Sequence, residues 1–253
     1  MNICRARARW TAAIAAIVIL AGAGSADAGL LILSGDSNIA NPLGGGEPGN
    51  DQFFLNVLGG GTSVLVLETT VTPVFTTPVN DFYNSQPGVT SSLFSGEITA
   101  AVLAGVDLFY SALPDDFFTA SELDALGDFL DAGGTIFFAG DNPGFAPNPN
   151  ARINAALAAL GSGMQILGIG LDIGLFHTQP FQVVPDPLTA GVANFQYGGM
   201  SQIAGGNPLF LSLEQHPFIA YEQGAVAGVP EPGTVSLLGA GVLAAVVLRR
   251  RGL

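Results

Sequence analysis

The chain has 253 residues, and its 20 Asp and Glu outnumber its 7 Lys and Arg. Six of the seven basic residues lie near the two ends, so eighteen carboxylates face Arg152 alone between Gly29 and Val229. Such a surface repels phosphate backbones and anionic lipids, which argues against nucleic-acid binding and against docking on anionic membranes.

The first 28 residues have the organisation of a secretory signal peptide. Three arginines at positions 5, 7 and 9 precede an apolar centre from Trp10 to Ala23, and the small residues Ala26 and Ala28 come before the expected cut. The one cysteine, Cys4, lies in this segment, so we expect no disulfide and no cysteine nucleophile in the mature chain. The exported domain would then comprise residues 29–228, about 200 residues, enough for one domain with a sizeable core.

The exported domain opens with a strand, a helix and a strand. Leu30–Ser34 and Ser63–Leu67 are short apolar runs typical of buried strands. Between them, apolar residues recur at helical spacing over residues 53–58. Asn50 is the predicted N-cap of this helix, and Gly59 is its predicted end.

The next forty residues are less regular. Thr69–Pro78 is rich in threonine and proline, which predicts an extended loop or an edge strand because proline removes a donor from the ladder. Ile98–Leu103 is compatible with a short helix, and Val106–Tyr110 is a third apolar strand.

A capping box provides the clearest local signal of the domain. Thr119 and Glu122 have the spacing at which each side chain bonds the other's backbone at a helix start, and Gly133-Gly134 predicts the end of that helix. Thr135–Ala139 follows as a fourth strand. A capped helix that leads into an apolar strand is the repeating unit of a parallel sheet with helices on its faces, so we predict an α/β fold.

The last third of the domain changes its pattern. A second helix is predicted at Ala151–Leu160 behind Asn150, followed by an apolar run at Met164–Leu167. Short strand-like pieces then alternate with Gly, Pro and Asn, which predicts a strand-rich C-terminal elaboration. These pieces are Phe181–Val184, Phe195–Tyr197, Leu209–Ser212 and Phe218–Tyr221.

The pattern of residues 106–144, which includes Ser-Glu-Leu-Asp-Ala-Leu-Gly-Asp-Phe-Leu-Asp-Ala-Gly-Gly-Thr-Ile-Phe-Phe-Ala-Gly-Asp, resembles the core of the glutamine-amidotransferase-like (ThuA-like) domains. Pro187–Val192 looks like a turn late in such domains. The resemblance implies a flavodoxin-like parallel sheet flanked by helices. Enzymatic members need a cysteine in the elbow after a strand, where this chain has Gly140-Asp141-Asn142, so the resemblance implies no amidotransferase activity.

Polar residues follow two of the predicted strands. Ligands of open parallel sheets bind at the carboxyl ends of the strands, where Asp36 and Asp141 fall. With Asn142 and Ser37, this pair could coordinate calcium or accept hydrogen bonds from sugar hydroxyls. The alternative is that these residues only cap turns and helix starts. Arg152, in a helix first turn, would gain from a carboxylate such as Asp141.

Gly35-Asp36-Ser37 also resembles the nucleophile block of GDSL/SGNH esterases, which makes Ser37 an alternative catalytic residue. Those enzymes need an Asp three residues before a histidine that deprotonates the serine. The residue three before His177 is Gly174, and the residue three before His216 is Leu213. Neither histidine therefore fits the esterase pattern.

The C-terminal tail has a pattern of its own. Val229, Pro230, Glu231 and Pro232 precede an uncharged apolar run at residues 235–248 and the cluster Arg249, Arg250 and Arg251. At 1.5 Å per residue the run covers about 21 Å, so as a transmembrane helix it would require bilayer thinning. The arginines predict a cytoplasmic C-terminus.

This tail resembles the PEP-CTERM sorting signal of exopolysaccharide-producing Gram-negative bacteria, which exosortase-type enzymes process. The resemblance implies an exported protein with a sorting tail at residues 229–253, anchored in the membrane before processing and then held at the cell surface or released. Two function classes follow from the sequence: a non-enzymatic envelope or matrix protein that binds exopolysaccharide or a partner, and a secreted hydrolase that uses Ser37. The partners expected are the secretion machinery and the exosortase.

Overall fold

The computed structural model describes residues 29–70 and 72–224, which lie in one compact unit. The predicted signal peptide at residues 1–28, the sorting tail at residues 229–253 and its helix at residues 235–248 fall outside the described residues. Within the described ranges, no helix is long and apolar enough to cross a membrane.

Seven strands form one mostly parallel sheet. Its parallel part consists of β1 to β5, and β11 and β10 extend it in antiparallel fashion beyond β1. The strands are β1 (Leu30–Ser34), β2 (Ser63–Leu67), β3 (Thr90–Phe94), β4 (Leu108–Ala112), β5 (Thr135–Ala139), β10 (Asn207–Leu211) and β11 (Pro217–Gln223).

The strand order is β10-β11-β1-β5-β4-β2-β3. From β3 to β5 this order matches the first four positions of the flavodoxin-like order 2-1-3-4-5, and β1 takes the fifth position. The predicted α/β architecture, a parallel sheet flanked by helices with a strand-rich elaboration, is confirmed.

Among residues 29–70 and 72–224, five α-helices cover the two faces of the sheet. They are α1 (Pro48–Leu58), α2 (Thr77–Asn84), α3 (Ala100–Leu103), α4 (Ala120–Asp131) and α5 (Pro147–Ala159). Side chains alternate along each strand, so Phe137 of β5 packs against α1 and α2, whereas Phe138 packs against α4 and α5. Two apolar cores result, one on each face.

Local signals explain where several helices begin and end. The predicted capping box of α4 is present, with Thr119 and Glu122 each accepting a hydrogen bond from the other's backbone. Gly59 ends α1 in the left-handed conformation, with φ +61°. Asn50 is not the N-cap of α1, because the helix already begins at Pro48 and Asn50 lies inside its first turn.

A second helix and one strand differ from their predicted bounds. The helix expected at Ala151–Leu160 begins earlier, at Pro147. Proline is well tolerated at a first helical position, where its missing N–H has no acceptor to lose. The strand expected at Val106–Tyr110 is β4, two residues further on.

The segment from Thr69 to Phe94 differs most from its prediction. Part of the expected loop or edge strand, Pro73–Phe75, is a short 3-10 helix, and α2 begins at Thr77. The strand β3, of sequence Thr-Ser-Ser-Leu-Phe, was missed. It lies at the edge of the sheet and has polar residues at its start, so it lacks the apolar run of a buried strand.

The C-terminal elaboration adds two small antiparallel sheets. One pairs β6 (Gln165–Leu171) with β9 (Met200–Ala204), and the other pairs β7 (Phe176–His177) with β8 (Gln196–Tyr197). The strand expected at Phe181–Val184 is a 3-10 helix, Pro180–Gln182, followed by a single bridge from Val183 to Phe210.

Candidate functional site

The carboxyl ends of β1 and β5 define the first crevice of the sheet. Ser34 and Ala139 are parallel neighbours at these ends. The chain then continues from β1 to α1 on one face, and from β5 to α5 on the other. Such a divergence is the topological switch point at which open α/β sheets bind ligands. Asp36 and Asp141, predicted from the sequence to lie at strand ends, follow these two strands.

A tight turn brings the chain from β1 to Asp36. The Ser34 hydroxyl donates to the Asp36 carbonyl oxygen at 2.8 Å and accepts from the Asp36 N–H at 3.1 Å. Gly35 lies directly against β9, whose Ser201 N–H donates to the Gly35 carbonyl oxygen at 2.8 Å. A Cβ at position 35 would lie 2.1 Å from the Ser201 carbonyl oxygen, so only glycine fits there without a backbone shift.

Asp36 is fully buried and accepts hydrogen bonds at both carboxylate oxygens. Its Oδ1 accepts from the Asn38 backbone N–H at 2.8 Å and from Asn38 Nδ2 at 2.9 Å. Its Oδ2 accepts from the Gly198 N–H at 2.7 Å. Asp36 therefore ties the loop after β1 to the turn between β8 and β9.

Asp141 is also buried and accepts at both of its oxygens. The Ser37 hydroxyl donates to Oδ2, and the Asn142 N–H donates to Oδ1 at 2.6 Å. Asn38 Nδ2 approaches Asp141 Oδ2 at 3.4 Å and also donates to the Gly198 carbonyl oxygen at 3.0 Å. The Asn38 amide group thus lies between the two carboxylates and donates where a cation would otherwise be expected.

Two residues that the sequence analysis did not select hold the backbone of Asp141. Asn150, in α5, accepts from the Asp141 N–H at 3.0 Å and donates to the Asp141 carbonyl oxygen at 2.7 Å. The Ser201 hydroxyl donates to the same carbonyl oxygen at 2.7 Å. The sequence signal for Asn150 is its position directly before a predicted helix, and this position indicates only where the helix begins. The side chain of Asn142, which the sequence predicted as a ligand residue, accepts from the exposed N–H of Gly144 at 2.8 Å.

Burial changes the protonation of both acids. Burial raises the pKa of Asp36 to about 7, against the hydrogen bond from Gly198, and the nearby Asp141 carboxylate adds to the rise. Burial likewise raises the pKa of Asp141, while the hydrogen bond from Ser37 opposes the rise. Two buried carboxylates near one another therefore share less than two negative charges near neutral pH.

The phenol of Tyr110 also belongs to the surroundings of this pair. Burial and the negative charge of Asp36 both raise the pKa of Tyr110. Its hydroxyl has no hydrogen-bond partner among the residues that the structure describes. Tyr110 therefore contributes a neutral, uncompensated hydroxyl on the same face of the sheet as α1.

Calcium binding at this pair remains a prediction. Residues 29–70 and 72–224 contain no group of three or more His, Cys, Asp or Glu that could hold a metal ion. Calcium prefers six to eight oxygen ligands. Here all four carboxylate oxygens of Asp36 and Asp141 already accept hydrogen bonds, so a cation would compete with donors such as the Asn38 amide and the Ser37 hydroxyl for these oxygens.

Ser37, the alternative nucleophile, is fully buried and donates to a carboxylate. His177 Nε2 instead lies 3.2 Å from Glu47 Oε2 on the surface. The backbone N–H of His216 donates to the Ser212 hydroxyl at 3.1 Å in a turn. In the described part of the chain, no histidine accepts the proton of Ser37.

Arg152 does not form the expected pair with Asp141. Its guanidinium donates to the Pro114 carbonyl oxygen at 2.9 Å, and it lies 6.0 Å from the ring centroid of Phe117. Because α5 begins at Pro147, Arg152 lies in its second turn, where the loop after β4 supplies the carbonyl acceptor.

A second crevice lies where β2 and β4 end. The chain continues from β2 to α2 on one face and from β4 to α4 on the other, so this is a second switch point. The open cavity there has a volume of about 240 Å³ and is lined by Glu68, Asp115, Asp116 and Glu122, among others. The sequence analysis did not select Glu68, Asp115 or Asp116, and it assigned Glu122 only to the capping box of α4.

A shallow groove lies between the loop after β1 and the start of α2. It encloses about 600 Å³, and its lining mixes Asn41, Thr77 and Asp81 with the apolar Leu43 and Val74. Two prolines, Pro73 and Pro78, complete the lining. We call it the β1–α2 groove.

Fold and site together define an α/β domain whose central carboxylates are enclosed by hydrogen bonds. Residues 228–251 of the chain match the family described as the PEP-CTERM protein-sorting motif. The chain therefore carries a PEP-CTERM sorting signal, as the tail predicted, and is an exported protein that exosortase processes and that reaches the cell surface or the exterior.

The described domain resembles solved structures only weakly. A solved structure titled "mmIFT52 N-terminal domain" aligns at 18% identity with a TM-score of 0.42, over 53% of this chain and 71% of that chain. No curated protein matches the chain significantly.

Proposed function

We propose that the exported domain is a non-enzymatic binding module of the cell envelope or extracellular matrix, amidotransferase-like in fold and without a catalytic apparatus. The observation that carries this proposal is that the polar cluster at the ends of β1 and β5 is closed off from solvent. Asp36, Ser37 and Asp141 are buried, and their side chains are committed to one another or to backbone donors. A catalytic group must instead reach the substrate.

The esterase alternative has little support from this geometry. A serine nucleophile needs a base that removes its proton and space for an acyl group beside it. The Ser37 hydroxyl has no exposed surface, and in the described part of the chain no histidine accepts its proton. Both conditions argue against hydrolysis at Ser37.

The ligand that we propose is an uncharged exopolysaccharide, bound in the β1–α2 groove. The groove has the mixture of amide, hydroxyl and carboxylate acceptors with apolar surface that suits sugar rings. Its charged lining residue is Asp81, and the described domain has Arg152 as its single Lys or Arg. Polymers of uronic acids or phosphates would therefore be repelled.

Affinity electrophoresis tests the ligand class. We expect the protein to be retarded in gels that contain a neutral glucan and to migrate freely in gels that contain alginate. The variants Asn41→Ala and Val74→Asp should lose the retardation, whereas Glu68→Ala in the second crevice should keep it. The proposal is contradicted if the wild type migrates equally with and without glucan. It is also contradicted if the groove variants are retarded as strongly as the wild type.

Intact-mass analysis of the protein from producing cells tests the delivery. We expect the loss of residues 1–28 together with the hydrophobic end of the tail. Recovery of both segments in a cytoplasmic fraction would overturn the localisation, whatever the domain binds.

A further inference from the structure

Four exposed apolar side chains lie on three neighbouring loops of the elaboration. Ile173 and Leu175, between β6 and β7, are 85% and 66% exposed. Phe181, in the 3-10 helix, is 57% exposed, and Leu213, in the turn between β10 and β11, is 46% exposed. Isolated exposed apolar residues need no explanation, but a group on adjacent loops is typical of an interaction surface. We call these four residues the apolar loop surface.

A polar network fixes the three loops to one another. Asp172 Oδ2 accepts from the Leu213 N–H at 2.8 Å and from the Tyr197 hydroxyl at 3.2 Å. Gln182 Nε2 donates to the Tyr197 hydroxyl oxygen at 2.8 Å and to the Leu211 carbonyl oxygen at 2.9 Å. Each apolar residue except Leu175 is thus itself in this network or next to a residue that is. The loops are held rigidly, which lowers the entropic cost of binding.

The backbone conformation of Asp172 also supports an interaction surface at these loops. Its φ is +39°, a left-handed value that non-glycine residues rarely adopt. Two donors bond the carboxylate of Asp172 in this conformation, and the next residue, Ile173, is 85% exposed. Strain that the surrounding structure maintains is found disproportionately at binding sites.

The charge of the domain selects the partner. Glu214 follows Leu213 directly, and Arg152 is bonded to the loop after β4 and not to any of these three loops. A second copy of the chain, or an anionic membrane, would bring like charges together around the apolar residues. Lysines or arginines beside an apolar centre would pair favourably with the exposed Glu214 and with the acidic domain as a whole.

We propose that the apolar loop surface docks a protein segment with an apolar centre and basic flanks. This goes beyond glycan binding in the β1–α2 groove and uses different residues, so either proposal can fail alone.

The test uses the full chain in phosphatidylcholine nanodiscs, with empty nanodiscs as the blank. The probes are a 14-residue amphipathic peptide of Leu and Lys, its Leu and Glu counterpart, and a Lys and Ser peptide of equal charge. Isothermal titration compares the wild type with the triple variant Ile173→Ser, Leu175→Ser and Leu213→Ser. The matched control is Leu93→Ser, an exposed leucine on β3 at the opposite edge of the sheet from β10.

We expect the Leu and Lys peptide to bind the wild type and Leu93→Ser alike, and to bind the triple variant at least tenfold more weakly. The other two peptides should bind weakly to all three proteins. The proposal is overturned if the triple variant binds as tightly as the wild type, if the Leu and Glu peptide binds equally well, or if the wild type self-associates through these residues in sedimentation equilibrium.

Discussion

Two crevices of one sheet hold carboxylates in opposite environments. At the ends of β1 and β5, Asp36 and Asp141 are buried and meet backbone donors, a serine and an asparagine. At the ends of β2 and β4, the cavity is open to solvent, and Glu68 and Asp116 line it. Both crevices lie at switch points, where the topology alone would predict a ligand site.

The difference shows that surroundings, and not topology, decide what a carboxylate does. A solvated carboxylate keeps its charge at little cost, whereas a buried one must be paired, hydrogen-bonded or protonated. The first crevice is closed by the elaboration, because β9 and the turn at Gly198 supply donors and cover it. The cavity at the second crevice is open to solvent, so the carboxylates that line it face a solvent-accessible space.

Removal of a carboxylate should lower the free energy of unfolding much more in the first crevice than in the second. We expect Asp36→Ala to lower the free energy of unfolding by about 3 kcal/mol, since it removes the acceptor of the buried Gly198 N–H and of the half-buried Asn38 N–H. Asp116→Ala, its counterpart in the open crevice, should change it by less than about 0.5 kcal/mol. Urea unfolding at pH 6 measures both, and similar losses for the two variants would contradict the comparison.

Substitution of the residues that support the buried pair should have the next largest effect on the free energy of unfolding. Asn150→Ala removes both bonds to the backbone of Asp141 and should cost about 2 kcal/mol. Asn142→Ala, which removes a bond to an exposed N–H, should cost about 0.5 kcal/mol or less. If Asn142→Ala proves the more destabilising in urea unfolding, the assignment of the supporting role to Asn150 is wrong.

The raised pKa of Asp36 predicts a specific pH dependence. The folded state binds a proton more tightly than the unfolded state, so the stabilisation is complete below about pH 4 and is lost as the pH rises through 7. From pH 6 to pH 8 the free energy of unfolding should fall by about 1.4 kcal/mol.

Asp141, the charged group that acts on Asp36, also has a pKa raised by burial. Burial raises the pKa of Tyr197 to about 12 and that of Tyr110 as well, and the charge of Asp36 adds to both. The tyrosines therefore do not titrate between pH 6 and 8. Urea unfolding of Asp36→Asn should lose most of the slope between these pH values. An unchanged slope in that variant would assign the effect to other groups.

Calcium should produce the smallest effect. Because the oxygens of the buried pair already accept hydrogen bonds, we expect 5 mM calcium chloride to shift the Tm by less than about 1 °C relative to the same ionic strength of sodium chloride. Differential scanning calorimetry measures the shift. A rise of several degrees that Asp141→Asn abolishes would establish a calcium site instead.

Much of the fold could be predicted from local signals. The apolar runs of β1, β2 and β5 and the capping box of α4 are properties of short segments, so they were recognised with their bounds. The strand β8 lies within the predicted piece Phe195–Tyr197. The polar edge strand β3 and the two-residue strand β7, in contrast, owe their structure to neighbours distant in the sequence. No local pattern indicates such pairing.

The candidate site was predictable only in part. Asp36 and Asp141 could be placed at strand ends, because polar residues directly after apolar strands lie at the carboxyl edge of a parallel sheet. The roles of Asn38, Asn150 and Gly198 depend on contacts that span up to 162 positions in the chain. Burial of Ser37 likewise follows from the cover that the elaboration provides, which spacing does not reveal.

Accessibility of Ser37 is the most direct test of the enclosed cluster. The protein recovered from producing cells is incubated with a fluorophosphonate, which phosphonylates activated serines, and is then measured by intact-mass spectrometry and peptide mapping. We predict no adduct at Ser37 in the folded protein. A single adduct at Ser37 that disappears in Ser37→Ala would show an accessible nucleophile and would contradict a non-enzymatic domain.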